Sequence, residues 1–150
     1  DWTNDLYIAD LDTEDVTRTE LAPGYVFRFA LSPTTAIFCN LHPDGDQGHV
    51  VDTDPASDTF GQVTTTVPLA PLGDPPVAGA APWEHESRAT AVTPDGALGF
   101  ISHGGDGLIS VIDTEAGEVV AQIEAPTDLT GGGAMIALQD GTPATDTIAR

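Results

Sequence analysis

The sequence predicts an all-β fold, and three observations carry that reading. Apolar stretches are short and rich in Val, Ile, Phe and Thr, and none keeps a 3.6-residue apolar period through three helical turns. Sixteen Gly and twelve Pro punctuate the chain at short intervals. Part of the chain also repeats. The stretch "ALSPTTAIFCNLHPDGDQGHVVDTDPASDTFGQV" (30–63) lies over "AVTPDGALGFISHGGDGLISVIDTEAGEVVAQI" (91–123). Pro33 matches Pro94, His42 matches His103 and Asp52-Thr53 matches Asp113-Thr114, each 61 positions apart.

A third, partial copy, "LYIADLDTEDVTRTEL", supplies Asp12-Thr13, 40 residues before Asp52. The longer second step leaves 21 residues over, which fits an inserted Pro/Ala-rich loop at 68–87. A unit of about 40 residues with four strands is the signature of a β-propeller blade. In order, "DLYIADLDT" and "VTRTEL" read as strands C and D of a partial blade, 5–21. The next blade, 26–67, runs "VFRFALS", "AIFCNL", "HVVDTD", "GQVTTTV". The blade 88–125 runs "RATAVTP" (88–94), "LGFIS" (98–102), "LISVID" (108–113) and "VVAQIEA" (119–125), with Gly117 supplying positive φ in the "TEAGE" hairpin. In 129–150, "LTGGGAM" leads into "GGGAMIALQDG" and "TDTIAR", expected as strands A and B that complete the blade begun by 5–21. That ring has three blades, whereas propellers need at least about four. The chain, which starts at Asp1 without Met, is therefore expected to be a fragment or section of a larger ring. A homodimer sharing one six-bladed ring is the alternative.

Composition narrows the function. Asp and Glu number 24 against four Arg and no Lys, giving a net charge of −20. Such a field repels a phosphate backbone and anionic membranes, and attracts cations. No apolar run approaches the ~20 residues needed to span a bilayer. Most carboxylates are spread along the chain, as on a solvated acidic surface. The single cysteine, Cys39 within "AIFCNL", excludes an internal disulfide and reads as a buried thiol.

The run Ala-Val-Thr-Pro-Asp-Gly (91–96) with Ile-Ser-Val-Ile-Asp-Thr-x-x-Gly-x-Val-Val (109–120) resembles the YVTN-type repeat of bacterial and archaeal extracytoplasmic β-propellers. The resemblance is best over 88–125, weaker over 26–67 and partial over 5–21. It implies a propeller in a periplasmic or secreted setting. Propellers with related blades include cytochrome d1-like domains, amine dehydrogenase-like heavy chains, lactonase-like enzymes, surface-layer proteins and a periplasmic zinc metallochaperone. The resemblance therefore bears on the fold and leaves function open.

Blade topology gathers the histidines. His42 and His103 sit at equivalent B–C connections, His49 closes the first of these, and His85 lies in the D–A insert within "PWEHES". All four are expected on one face, with Asp44, Asp46, Glu84, Glu86 and Asp106. Imidazole with carboxylate suits zinc or copper. The expected ligands are His85 and His103, with His42 or His49 and Glu86 as further candidates; the plainer reading of His42 and His103 is as turn caps. "DGDQG" (44–48) has the alternate Asp of a calcium loop but lacks its third Asp and later Glu, so a solvated acidic turn is preferred. No Gly-x-Ser-x-Gly, Walker or HExxH pattern is present, and no serine has a recognised catalytic spacing to a histidine. Trp83 is expected at the channel rim. Arg28 and Arg88 open successive strands A, which favours a structural role between blades. The sequence thus points to a non-enzymatic binding propeller, metallochaperone-like, with zinc as its ligand. An oxidoreductase or hydrolase domain and a surface-layer or interaction module are the alternatives.

Overall fold

The structure, a computed structural model, describes residues 4–42, 45–69, 88–103, 106–129, 135–139, 142–143 and 148–149. Described residues include no helix. Strands β1 (Asn4–Ala9) and β2 (Val16–Leu21) form an antiparallel hairpin, the first sheet. Strands β3 (Tyr25–Leu31), β4 (Thr35–Leu41), β5 (Gln47–Asp52) and β6 (Val63–Pro68) form an antiparallel meander, the second sheet. The third is the meander β7 (Thr90–Val92), β8 (Leu98–Ser102), β9 (Leu108–Asp113) and β10 (Glu118–Glu124). Short β11 (Leu138–Gln139) pairs with β12 (Thr142–Pro143).

The C-terminal strands depart from the sequence reading. β13 (Ile148–Ala149) does not complete the first sheet; it lies antiparallel along β3, with Ile148 opposite Leu31 and Ala149 opposite Ala30. The first strand of a meander has an unpaired ladder edge, and β13 satisfies it there.

The three sheets stack face to face in chain order. Successive strand residues point to opposite faces, and β4 shows the consequence. Ala36 and Phe38 turn to one side, where Leu21, Val51 and the partly buried Leu6 join them. Ile37 and Cys39 turn to the other, into a cluster with Val50, Val67, Val92, Ile101 and Ile112. A strand covered on both faces reads as a continuous apolar run, as "AIFC" does. Between the second and third sheets the main chains come closest where β7 meets β3 and β4. Small residues there receive large ones. A Cβ on Gly99 would lie 2.8 Å from Ile37 Cδ1, and one on Gly48 2.8 Å from Ile101 Cδ1.

The repeated Asp-Thr is a turn device. Asp113 Oδ1 accepts the Glu115 and Ala116 amides at 3.0 and 2.8 Å, and Thr114 Oγ1 donates to Gly96 O at 2.7 Å. In the second sheet Asp52 Oδ1 accepts the Asp54 amide, and the Thr53 amide donates to Thr34 O. In the first sheet the aspartate with this role is Asp10, not Asp12: its Oδ1 accepts the Asp12 and Thr13 amides at 2.8 and 3.0 Å. The Glu14 amide bonds Asp10 O as the Gly117 amide bonds Asp113 O, each at 2.9 Å, and both residues have positive φ, 62° and 71°.

This alignment fixes how the sheets face one another. Leu6 and Ile8 correspond to Ile109 and Val111, four and two residues before the turn aspartate. Ile8 packs towards the second sheet, and Val50, the repeat counterpart of Val111, packs towards the third. Each sheet offers the same face to the sheet that follows it.

A non-glycine residue in the left-handed region costs about 1–2 kcal/mol, partly offset when glycine loosens the unfolded chain. Glu14→Gly is therefore expected to stabilise the protein by roughly 0.5–1 kcal/mol in urea unfolding. Gly117→Ala, whose Cβ would also meet Thr65 Oγ1 at 2.7 Å, should destabilise it. A destabilised Glu14→Gly variant would contradict the turn equivalence.

Candidate functional site

Polar side chains collect at one end of the seam between the second and third sheets, where the β4–β5 and β8–β9 connections meet the start of β7. Arg88 stands two residues before β7 and is 1% exposed. A buried guanidinium needs a counter-charge and acceptors. Its Nη2 and Nε donate to Asp46 Oδ2 at 2.6 and 3.1 Å, and its Nη1 donates to Ser102 O at 3.3 Å. Asp46 belongs to the β4–β5 connection, so the ion pair joins the second sheet to the third. The inter-unit role expected of Arg88 is thereby observed. Arg28, in contrast, keeps a buried Nε without a hydrogen-bond partner among the described residues. Asp46 also accepts the His42 amide through Oδ1 at 3.0 Å. That carboxylate is thus engaged by the arginine and a backbone amide, and Asp44 of the same acidic loop lies outside the described residues.

His103, directly after β8, is fully buried. Its Nδ1 faces Asp106 Oδ2 at 3.4 Å and its Nε2 lies 2.8 Å from Ser110 Oγ. Burial first, and then the nearby Arg88 charge, hold the imidazole below the ordinary histidine pKa, with Asp106 opposing. In the neutral ring Nδ1–H faces the acceptor-only carboxylate, which leaves Nε2 to accept the Ser110 hydroxyl proton. This is the order of a nucleophile–base–orienter relay. Sequence reasoning missed it because His103, Asp106 and Ser110 come together only when the β8–β9 turn closes. Laying the two strands in hairpin register brings residue 110 opposite 101, next to 103. Ser110 is 2% exposed, so a substrate carbonyl has no approach to its Oγ in this conformation. What the relay does is hold the turn: the His103 amide bonds Leu108 O at 2.7 Å, and the Leu108 amide bonds Asp106 Oδ1 at 2.9 Å. Burial likewise pushes the Cys39 thiol up to about 12, as befits an inert core thiol.

The expected site residues separate. His42 and His103 follow equivalent strands, β4 and β8, at the same end of the stack. His49 does not close a loop; it lies inside β5, opposite Phe38 and Thr66, on the face turned to the first sheet. The strand starts earlier than the sequence suggests because Asn40 Oδ1 captures the Gln47 amide at 2.8 Å. His49 is 1% exposed, with Nδ1 3.1 Å from Thr66 Oγ1, and desolvation lowers its pKa. His85, Glu86, Glu84 and Trp83 lie outside the described residues. Among the described residues no three of His, Cys, Asp and Glu are grouped so as to hold a metal ion. At the opposite end of the seam an open cleft of about 390 Å³ is lined by hydroxyls and carboxylates, including Thr35, Asp52, Asp54, Thr114 and Glu115.

No protein-family model matches the chain, and no curated protein matches it significantly.

The two buried histidines give a pH dependence. Each binds its proton less readily in the folded state than in the unfolded one, where the pKa is about 6.5. Below that value the unfolded chain takes up more protons, so stability is complete above pH ~6.5 and falls as pH drops towards the folded-state pKa values. The melting temperature is expected to fall between pH 7.5 and about 5.5, where most carboxylates are still ionised, and His103→Gln should flatten that slope. Identical pH slopes in wild type and variant would contradict the assignment.

Proposed function

We propose that the chain is a section of an extracytoplasmic β-propeller of the YVTN-like type. It works as a non-enzymatic binding module and takes a cation, zinc foremost, on the rim where the β4–β5 and β8–β9 turns emerge. The observation that carries this reading is the regular seam. Each sheet meets the next through the same face; between the second and third the main chains come closest where β7 meets β3 and β4, and Arg88–Asp46 joins the β4–β5 turn to the start of β7. Sheets stacked in this sense around an axis make a propeller. Its extracytoplasmic setting rests on the resemblance of the repeat alone.

The rim suits a cation. The Arg88 charge is sealed against Asp46, whereas the Asp106 side chain is 40% exposed. In this proposal His42 and Asp106 supply ligands with His85 and Glu86 of the 68–87 segment. His103 holds Asp106 in place, and His49 takes no part. The enzymatic alternative would require an opening that exposes Ser110.

Equilibrium dialysis against Zn²⁺, on protein purified without chelator, tests the reading. About one saturable site per chain is expected at micromolar metal, lost in His42→Ala and in His85→Ala but retained in His49→Gln. Absence of saturable zinc binding by the wild-type chain would overturn it.

A further inference from the structure

The first sheet has two strands where the second and third each contain a four-stranded meander. By its turn, β1 corresponds to β5 and β9. On β5 the inner edge is filled by β4, and on β9 by β8, in both cases the second strand of an A–B hairpin. On β1, among the described residues, that edge has no partner; β2 takes the other. Beside it lies a half-open cleft of about 380 Å³, lined by Leu6, Ile8, Leu31, Phe38 and Phe60, with Thr53 at its wall.

Three features show that this cleft is a place for more sheet. Phe29 and Leu31, on the inner strand of the second sheet, are only partly buried on this side. On the other side of that sheet, under β7 and β8, Ala30, Ile37 and Cys39 are 1% exposed or less. Thr53 Oγ1 is buried without a hydrogen-bond partner among the described residues, an arrangement that costs stability until a partner arrives. Finally, the cleft lining has no Asp, Glu, Arg or Lys, although the chain carries 24 acidic residues. The surface is therefore matched to an uncharged, apolar strand face.

We infer that the inner edge of β1 is an acceptor for an A–B β-hairpin of the same repeat type, which adds to the sheet and lays an apolar face into the cleft. The inference rests on the stacked-sheet reading above and names what completes its first member. Strand addition of this kind draws affinity from main-chain hydrogen bonds and specificity from alternate side chains. The register follows from the third sheet. Leu98 and Phe100 of β8 share a face with Val111, the counterpart of Ile8, so the equivalent donor residues enter the cleft, while those equivalent to Gly99 and Ile101 face away. β10 also has an open edge among the described residues, but a bulge between Val119 and Ala121 and terminal Glu118 and Glu124 guard it.

The test uses the whole chain and a fluorescein-labelled synthetic peptide of its own A–B hairpin, residues 88–103. Fluorescence anisotropy is expected to show saturable binding in the micromolar range. Hydrogen exchange should show the β1 amides, Asn4–Ala9, slowed at least about tenfold by the peptide. A Phe100→Asp peptide should fail to bind and an Ile101→Ser peptide should bind. No binding, with β3–β9 still protected in the free chain, would overturn the acceptor and leave the stacked sheets standing; unprotected β3–β9 would overturn both. Protection confined to β10, equal binding by the two peptide variants, or β1 protection that grows with protein concentration before peptide is added would each also refute the inference. In the last case the occupant is a second copy of the chain.

Discussion

The Arg88–Asp46 ion pair is the constraint on which the rest of the stack depends. An apolar seam between two sheets tolerates sliding, because hydrophobic attraction is non-directional. A guanidinium with a fully buried side chain does not, since leaving it without its carboxylate costs several kcal/mol. Arg88 precedes β7 and Asp46 lies in the β4–β5 connection, so satisfying the pair sets the third sheet in one position against the second. The further bonds from Arg88 to Ser102 O and from the His42 amide to Asp46 extend the same constraint to the ends of β8 and β4.

Once that position is set, the apolar details follow. Gly99 must lie over Ile37 and Gly48 over Ile101, because a methyl group at either glycine would collide. The polar end of the seam is then closed to solvent, which holds the His103 imidazole below its ordinary pKa and commits both its nitrogens to partners within the β8–β9 hairpin. Histidine here serves architecture, while Asp106 stays partly exposed on the rim. The functional proposal draws on that division between a sealed interior pair and an open acidic edge.

The two middle strands of the third sheet were legible to the residue: "LGFIS" and "LISVID" are β8 and β9, since turn-forming Gly and Asp bracket short branched runs, whereas β7 is shorter than the "RATAVTP" expected for it. The Asp-Thr repeat was legible as a signal, and its cause is the pair of turn amides that the carboxylate accepts. The first copy was read two residues late because Asp10 and Asp12 both precede turn-forming residues, and only the hydrogen bonds distinguish them. His49 was misplaced because a side-chain acceptor, Asn40, lengthens β5 backwards, and no local pattern announces that. The identity of the Arg88 partner was out of reach for a similar reason. Asp46 is 42 residues away and sits in a run of acidic residues that reads as a solvated loop. The strand pairing of the C-terminal segment was also hidden, because β3 and β1 both present open edges and strand propensity cannot choose between them.

A double-mutant cycle on the seam tests this account most directly, using urea unfolding of the wild type, Arg88→Met, Asp46→Asn and the double variant. Each single change should cost about 3 kcal/mol, because it strands a buried partner. The double variant should recover much of that loss, giving a coupling energy of about 2 kcal/mol or more. Coupling within about 0.5 kcal/mol of zero would show that the two side chains act independently and that the pair does not position the sheets.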